Sequence, residues 1–225
     1  MAYNQYENWL SLARLGKYLT ACGNRPGKAL MLYRANIRLS QKLYAVIGLF
    51  EVVLRNHIDR HFIGVKGPSW LEDAVADGGY LDVPLCENAY HSVQEALFRL
   101  DKKYDHDSLI AALTLGFWTN VFGKHEYPAS GNTVLSIFVN RPAGTNYKTV
   151  FKLLQKLNIL RNRIAHHEPL CFDAVGAIST AMVTRRYALI KDLLHWLGCD
   201  HRLLLYGVDG VQGEIDFINR LQAGL

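Results

Sequence analysis

The stretch from Pro26 to Ile63 constrains the fold of this chain more than any other feature. After Pro26 it contains no proline and only two glycines, and Leu39, Leu43, Ile47, Phe50, Leu54, Ile58 and Phe62 recur at steps of three and four residues. That spacing lays a single apolar stripe along a helix, whereas a strand would alternate. Pro26 suits a first helical turn, where its missing N–H costs nothing. The pattern predicts a helix over about Ile37 to Phe62, long for a globular protein and fit to serve as the spine of a bundle.

Most other segments repeat the helical signal. Ser11 to Cys22 carries Leu12, Leu15 and Leu19, with Gly23-Asn24 as a stop. Leu85 to Lys103 and the short apolar stretch Ser108 to Phe122 read the same way. Asn146 is placed to cap a helix bearing Val150, Leu153, Leu154, Leu157 and Leu160. That helix should fail at Glu168, because a residue before proline is pushed out of the α region. Asp173 to Leu197 predicts one more helix. Gly64 to Pro84, Gly123 to Ser130 and Arg141 to Asn146 read as loops, and weak alternation appears only over Val134 to Val139. The expectation is an all-α helical bundle with a long central helix. Without a repeat or a linker, residues 1–225 read as a single domain.

Half of the 225 residues are hydrophobic and a fifth are charged, ordinary values for a globular protein. The net charge of +5 inclines the chain towards polyanionic partners without proving one. The amino terminus shows no signal peptide, and no apolar run is long enough for a membrane span. The four cysteines, Cys22, Cys86, Cys171 and Cys199, lie far apart and form no C-x-x-C pair. They read as free thiols in a reducing compartment, so the expected location is cytoplasmic, with neither zinc nor disulfides.

The chemistry concentrates in Arg161-Asn162-Arg163-Ile164-Ala165-His166-His167-Glu168-Pro169, at a predicted helix end. A helix core has no need of two guanidiniums, an amide, two imidazoles and a carboxylate there, and burying them unpaired is costly. These side-chain types suit RNA cleavage. An imidazole titrating near neutrality can take the 2′-hydroxyl proton or return one to the leaving oxygen. A guanidinium offers fixed donors to a phosphate gaining charge. With the 2′-hydroxyl as nucleophile, neither a metal nor another cofactor is required. Arg161, Asn162 and His166 are the expected catalytic set. Asn162 and His166 share a helical face, but Arg161 and His166 lie about 140° apart around the axis. They converge only if the helix loosens, if Arg161 reaches, or if a second subunit supplies one of them. A solvated cap, with basic groups at the terminal carbonyls, is the competing reading.

The R-N-x-x-x-H string formed by Arg161-Asn162 and His166 resembles the motif of the HEPN superfamily of helical ribonucleases. The wider resemblance is to its Abi-like (abortive-infection) branch. It rests on Ala29 to Tyr44, Leu49 to Asp59, Gly116 to Phe122 and Ile159 to Pro169, and covers roughly Ser11 to Trp196. The resemblance implies a helical homodimer that pairs two such motifs in a composite cleft. It also implies metal-independent cleavage of an RNA substrate by a toxin or phage-defence effector, and an antitoxin protein or RNA is a candidate partner. The tail after Cys199 lies outside it.

Other candidates carry two readings each. Glu51, Arg55 and Asp59 step by four as an ion-pair ladder, or else Glu51, Arg55 and Asn56, with His167, are further lining of the cleft. His57 and His61 have the spacing of two metal ligands but no evident third. Phe117 and Trp118 either stack on bases or fill the core, and the core reading is the stronger. Lys102, Lys103, Lys124, Arg141, Lys148 and Lys152 could track phosphates or simply face water. The alternative to a nuclease is a non-catalytic helical dimer that binds RNA or a protein antitoxin.

Overall fold

A computed structural model of the chain describes residues 3–101 and 104–224. Its α-helices, in chain order, are α1 (Tyr3–Leu10), α2 (Leu12–Ala21), α3 (Pro26–Lys66), α4 (Trp70–Val75), α5 (Glu87–Leu100) and α6 (His106–Ala112). They continue with α7 (Leu115–Asn120), α8 (Glu126–Ala129), α9 (Tyr147–Ala165), α10 (Ala181–Trp196), α11 (His201–Leu204) and α12 (Val211–Ala223). Among the described residues the only β-pairing is the isolated antiparallel bridge between Phe172 and Ile178. The fold is all-α, with the long helix that the apolar stripe demands.

That helix, α3, runs 41 residues, beginning at Pro26 itself and passing Phe62 by one turn. The apolar face extends upstream of the stripe, because Ala29, Leu32 and Ala35 are also fully buried. Ser11 caps α2 by accepting from Arg14 N at 3.4 Å. Asn146 caps α9 by accepting from Thr149 N at 3.0 Å. Each satisfies a backbone donor that the first helical turn leaves free.

Local chemistry redraws five predicted segments, one of them the loop expected over Gly123 to Ser130, which contains α8. Ser108 to Phe122 is two helices, α6 and α7, because Leu113 and Thr114 adopt extended backbone. Asp173 to Leu197 becomes helical only at Ala181. Before that point the Asp173 carboxylate accepts from Val175 N and Ala177 N, folding a turn that competes with the helix. Val134–Ile137 is a 3-10 turn rather than a strand. The predicted loop from Gly64 to Pro84 contains α4, whose Trp70 and Leu71 are buried. Lys102 and Lys103, at the end of the helix expected over Leu85 to Lys103, lie outside the described residues.

The chain forms two compact units. The first draws on residues up to Gly48, on Leu160–Ile190 and on Leu205 onward. The second draws on Leu49–Ile159 and Lys191–Leu204. In the first, Leu15, Leu32, Leu39, Leu43, Leu170 and Val183 are fully buried, together with Val211 and Ile218 of α12. Arg38 of this unit pairs with Glu214 at 3.0 Å, and Thr180 donates to Asn219 at 2.8 Å. The tail is thus part of the fold. The second unit is centred on buried Phe50, Phe62, Trp70, Trp118, Phe122 and Phe138. Phe117 and Trp118 belong to that core. Free thiols Cys22, Cys86 and Cys171 are buried and Cys199 is half-buried.

Candidate functional site

The site begins with how α9 ends. His166 N still bonds to Asn162 O at 2.9 Å, so the helical frame persists through His166. The chain then reverses. His167 N bonds to Ile164 O at 3.0 Å, and Glu168 N reaches back to Arg163 O at 2.8 Å. This paired closure places His167 in the left-handed region, at φ 54°. The reversal comes one residue before the position that the following proline predicts.

Side chains of the first unit pin the reversed segment. Arg14 of α2 donates from Nη2 to His167 O at 2.7 Å. Arg163 donates to Glu168 Oε2 at 3.0 Å and to Pro169 O at 2.6 Å. Asn36 of α3, nearly fully buried, accepts from Leu170 N at 2.7 Å. Three helices therefore fix residues 167–170 in place.

Beside this turn opens a cavity of about 780 Å³, contained in the first unit. Arg161, Ile164, Ala165 and His167 form one side of it. Trp9 and Leu10 of α1, Arg14 of α2, and Tyr33, Asn36, Ile37, Ser40, Gln41 and Tyr44 of α3 complete it. Among the described residues the lining has two arginines and no carboxylate, which favours an anion. The half-buried Arg161 makes no side-chain hydrogen bond or ion pair within the described residues, so its guanidinium is available to a ligand. Trp9 is 68% exposed and Tyr44 55% exposed, leaving ring faces open for stacking. The Trp9 ring packs 5.6 Å from Tyr6, while Tyr33 is buried edge-on against Tyr18 at 5.2 Å.

Of the residues singled out from sequence, Arg161 and His167 line this cavity together. Asn162 and His166, exposed as His167 also is, are not among its lining residues. Glu51, Arg55 and Asn56 belong to the second unit, as does Asp59. Arg55 Nε is buried there without a hydrogen-bond partner among the described residues. The Asp59 carboxylate accepts from Trp70 Nε1 at 2.8 Å and lies 2.7 Å from His106 Nε2. His57 and His61 engage Val53 O at 2.8 Å and Thr133 Oγ1 at 2.9 Å. Among the described residues, no group of three or more His, Cys, Asp or Glu is placed to hold a metal ion.

Sequence reasoning missed Trp9, Arg14, Tyr33 and Tyr44. A signal existed on α3, where Tyr33, Ile37, Gln41 and Tyr44 recur at three- and four-residue steps beside the buried stripe. Nothing local marks Trp9 or Arg14, whose place depends on how α1 and α2 lie against α3.

Comparison of the chain with family models, with curated proteins and with solved structures gives no match. Among the described residues, no helix is long and apolar enough to cross a membrane.

Proposed function

We propose that this protein is an endoribonuclease acting on single-stranded or looped RNA, and that the cavity beside the end of α9 is where it binds. One observation carries the reading. An unpaired guanidinium, Arg161, shares a carboxylate-free cavity with a histidine and with exposed aromatic rings. A phosphate answers the guanidinium, and an unstacked base answers the rings. The resemblance of the R-N-x-x-x-H string to helical ribonucleases of the abortive-infection kind supports the same reading, including action as a toxin or defence effector and as a homodimer.

In the proposed reaction Arg161 holds the scissile phosphate and stabilises the charge that builds on its oxygens. An imidazole at positions 166–167 accepts the 2′-hydroxyl proton. The 2′ oxygen bonds to phosphorus while the P–O5′ bond breaks and its electron pair leaves with the 5′ oxygen. The imidazolium returns the proton to that oxygen. The products are a 2′,3′-cyclic phosphate and a 5′-hydroxyl, and the nucleophile comes from the RNA.

Purified protein incubated in EDTA with a single-stranded RNA oligonucleotide should yield those two ends. A 2′-deoxy substitution at the cut site should block cleavage. Arg161→Ala should slow it about 100-fold or more, the usual scale for a transition-state donor. Intact RNA, or equal cleavage by Arg161→Ala, overturns the reading. The exposed placement of His166 outside the cavity lining favours a second reading, in which the cavity binds RNA or a protein antitoxin without cutting. Binding of uncleaved RNA that Arg161→Ala weakens would select it.

A further inference from the structure

We propose that His167, rather than His166, is the imidazole that works with Arg161 on the RNA backbone. This rests on the nuclease reading of the same cavity and refines which residue moves the proton.

The first support is the cavity itself, which His167 lines together with Arg161 while His166 does not. The helical hydrogen bond at His166 explains the difference. A side chain five positions after Arg161 in an unbroken helical frame sits about 140° around the axis from it. His167 has left that frame.

The second support comes from other helix ends of the same chain. Helices α2, α8 and α10 close with the same pair of backbone bonds as α9. These are Gly23 N to Thr20 O with Asn24 N to Leu19 O, Gly131 N to Pro128 O with Asn132 N to Tyr127 O, and Gly198 N to His195 O with Cys199 N to Leu194 O. In each of those three the residue at the position of His167 is glycine, at φ 62°, 105° and 78° respectively, followed in the first two by a left-handed asparagine, Asn24 and Asn132. At the end of α9 the same position is histidine. Glycine takes this conformation without strain and a side chain does not. The strained histidine is the one beside the unpaired arginine, and strain retained at one position among equivalents marks a side chain kept for its chemistry. Arg14, donating to the His167 carbonyl, holds it in that conformation.

The test compares His167→Gly, His167→Asn and His166→Ala with the wild type, using the RNA oligonucleotide in EDTA and thermal unfolding of each protein. Both substitutions at 167 suit a left-handed residue, so folding is preserved, and the melting temperature of His167→Gly should rise by about 2 °C. Cleavage by both should fall about 100-fold or more, and at least about tenfold further than in His166→Ala. The reverse pattern overturns the assignment but leaves the nuclease reading standing. Equal loss in all three variants, with folding intact, divides the proton transfer between two imidazoles and also overturns the choice of His167. A wild type that leaves RNA intact overturns both inferences together.

Discussion

A residue with a Cβ in the left-handed region costs about 1–2 kcal/mol, and glycine loses part of that saving through its freer unfolded chain. His167→Gly should therefore stabilise the protein by about 0.5–1 kcal/mol, measured by denaturant unfolding. Asn36 works in the opposite direction. Its side-chain oxygen accepts from the buried Leu170 N, and Asn36→Ala would leave that N–H without a partner. A loss of about 1–3 kcal/mol is expected. No loss would show that the turn is held by its other contacts. The thiols differ in the same physical terms. Burial pushes the Cys171 thiol up to about 12 and raises Cys22, Cys86 and the half-buried Cys199 as well, so the four differ chiefly in exposure. At pH 8 a thiol reagent should modify Cys199 first, with the other three reacting only as the protein unfolds. Rapid labelling of Cys171 in the folded protein would contradict its burial.

At the scale of elements, the end of α9 is a device of three helices rather than a frayed terminus. Arg163 uses its donors on Glu168 and on the Pro169 carbonyl, so it serves the turn and not the ligand. Arg163→Ala should cost about 1 kcal/mol, since the pair with Glu168 is largely exposed and screened by solvent. Cleavage should fall only as far as the turn loosens, far less than in Arg161→Ala. A loss in Arg163→Ala equal to that in Arg161→Ala would show that both guanidiniums act on the substrate. The two arginines, two positions apart in sequence, are separated in role by their surroundings. One meets a carboxylate and a carbonyl, and the other meets an open cavity.

For the molecule as a whole, α12 belongs to the first unit and buries Val211, Ile215 and Ile218. Each buried aliphatic side chain contributes about 1.5–3 kcal/mol, so ending the chain after Cys199 should remove stability on the order of a typical domain's total. Loss of a cooperative melting transition checks this. RNA binding should also answer to salt. With two arginines in the cavity and a single-strand slope of about 0.7 per contacted phosphate, affinity should fall about sevenfold between 50 and 200 mM salt. A salt-insensitive affinity would remove phosphate contact from the account.

The long helix, the cap at Asn146, and the failure of α9 near Pro169 were all legible in the sequence. Each depends on neighbours within one or two turns, through apolar spacing, a short polar side chain or a missing N–H. The turn at Asp173 and the break at Leu113 were harder to read, because local side-chain bonds and extended backbone overrode an apolar pattern that alone suggests a helix. The identity of the cavity lay beyond local reading altogether. Arg161, His167, Arg14, Trp9 and Tyr44 are brought together from α9, α2, α1 and α3, and nothing in the spacing of one helix states which face another helix will meet. Sequence determined the rods and where they stop. Tertiary packing decided which histidine stands beside the free arginine, because that depends on a backbone reversal held in place by side chains more than a hundred residues away in the chain.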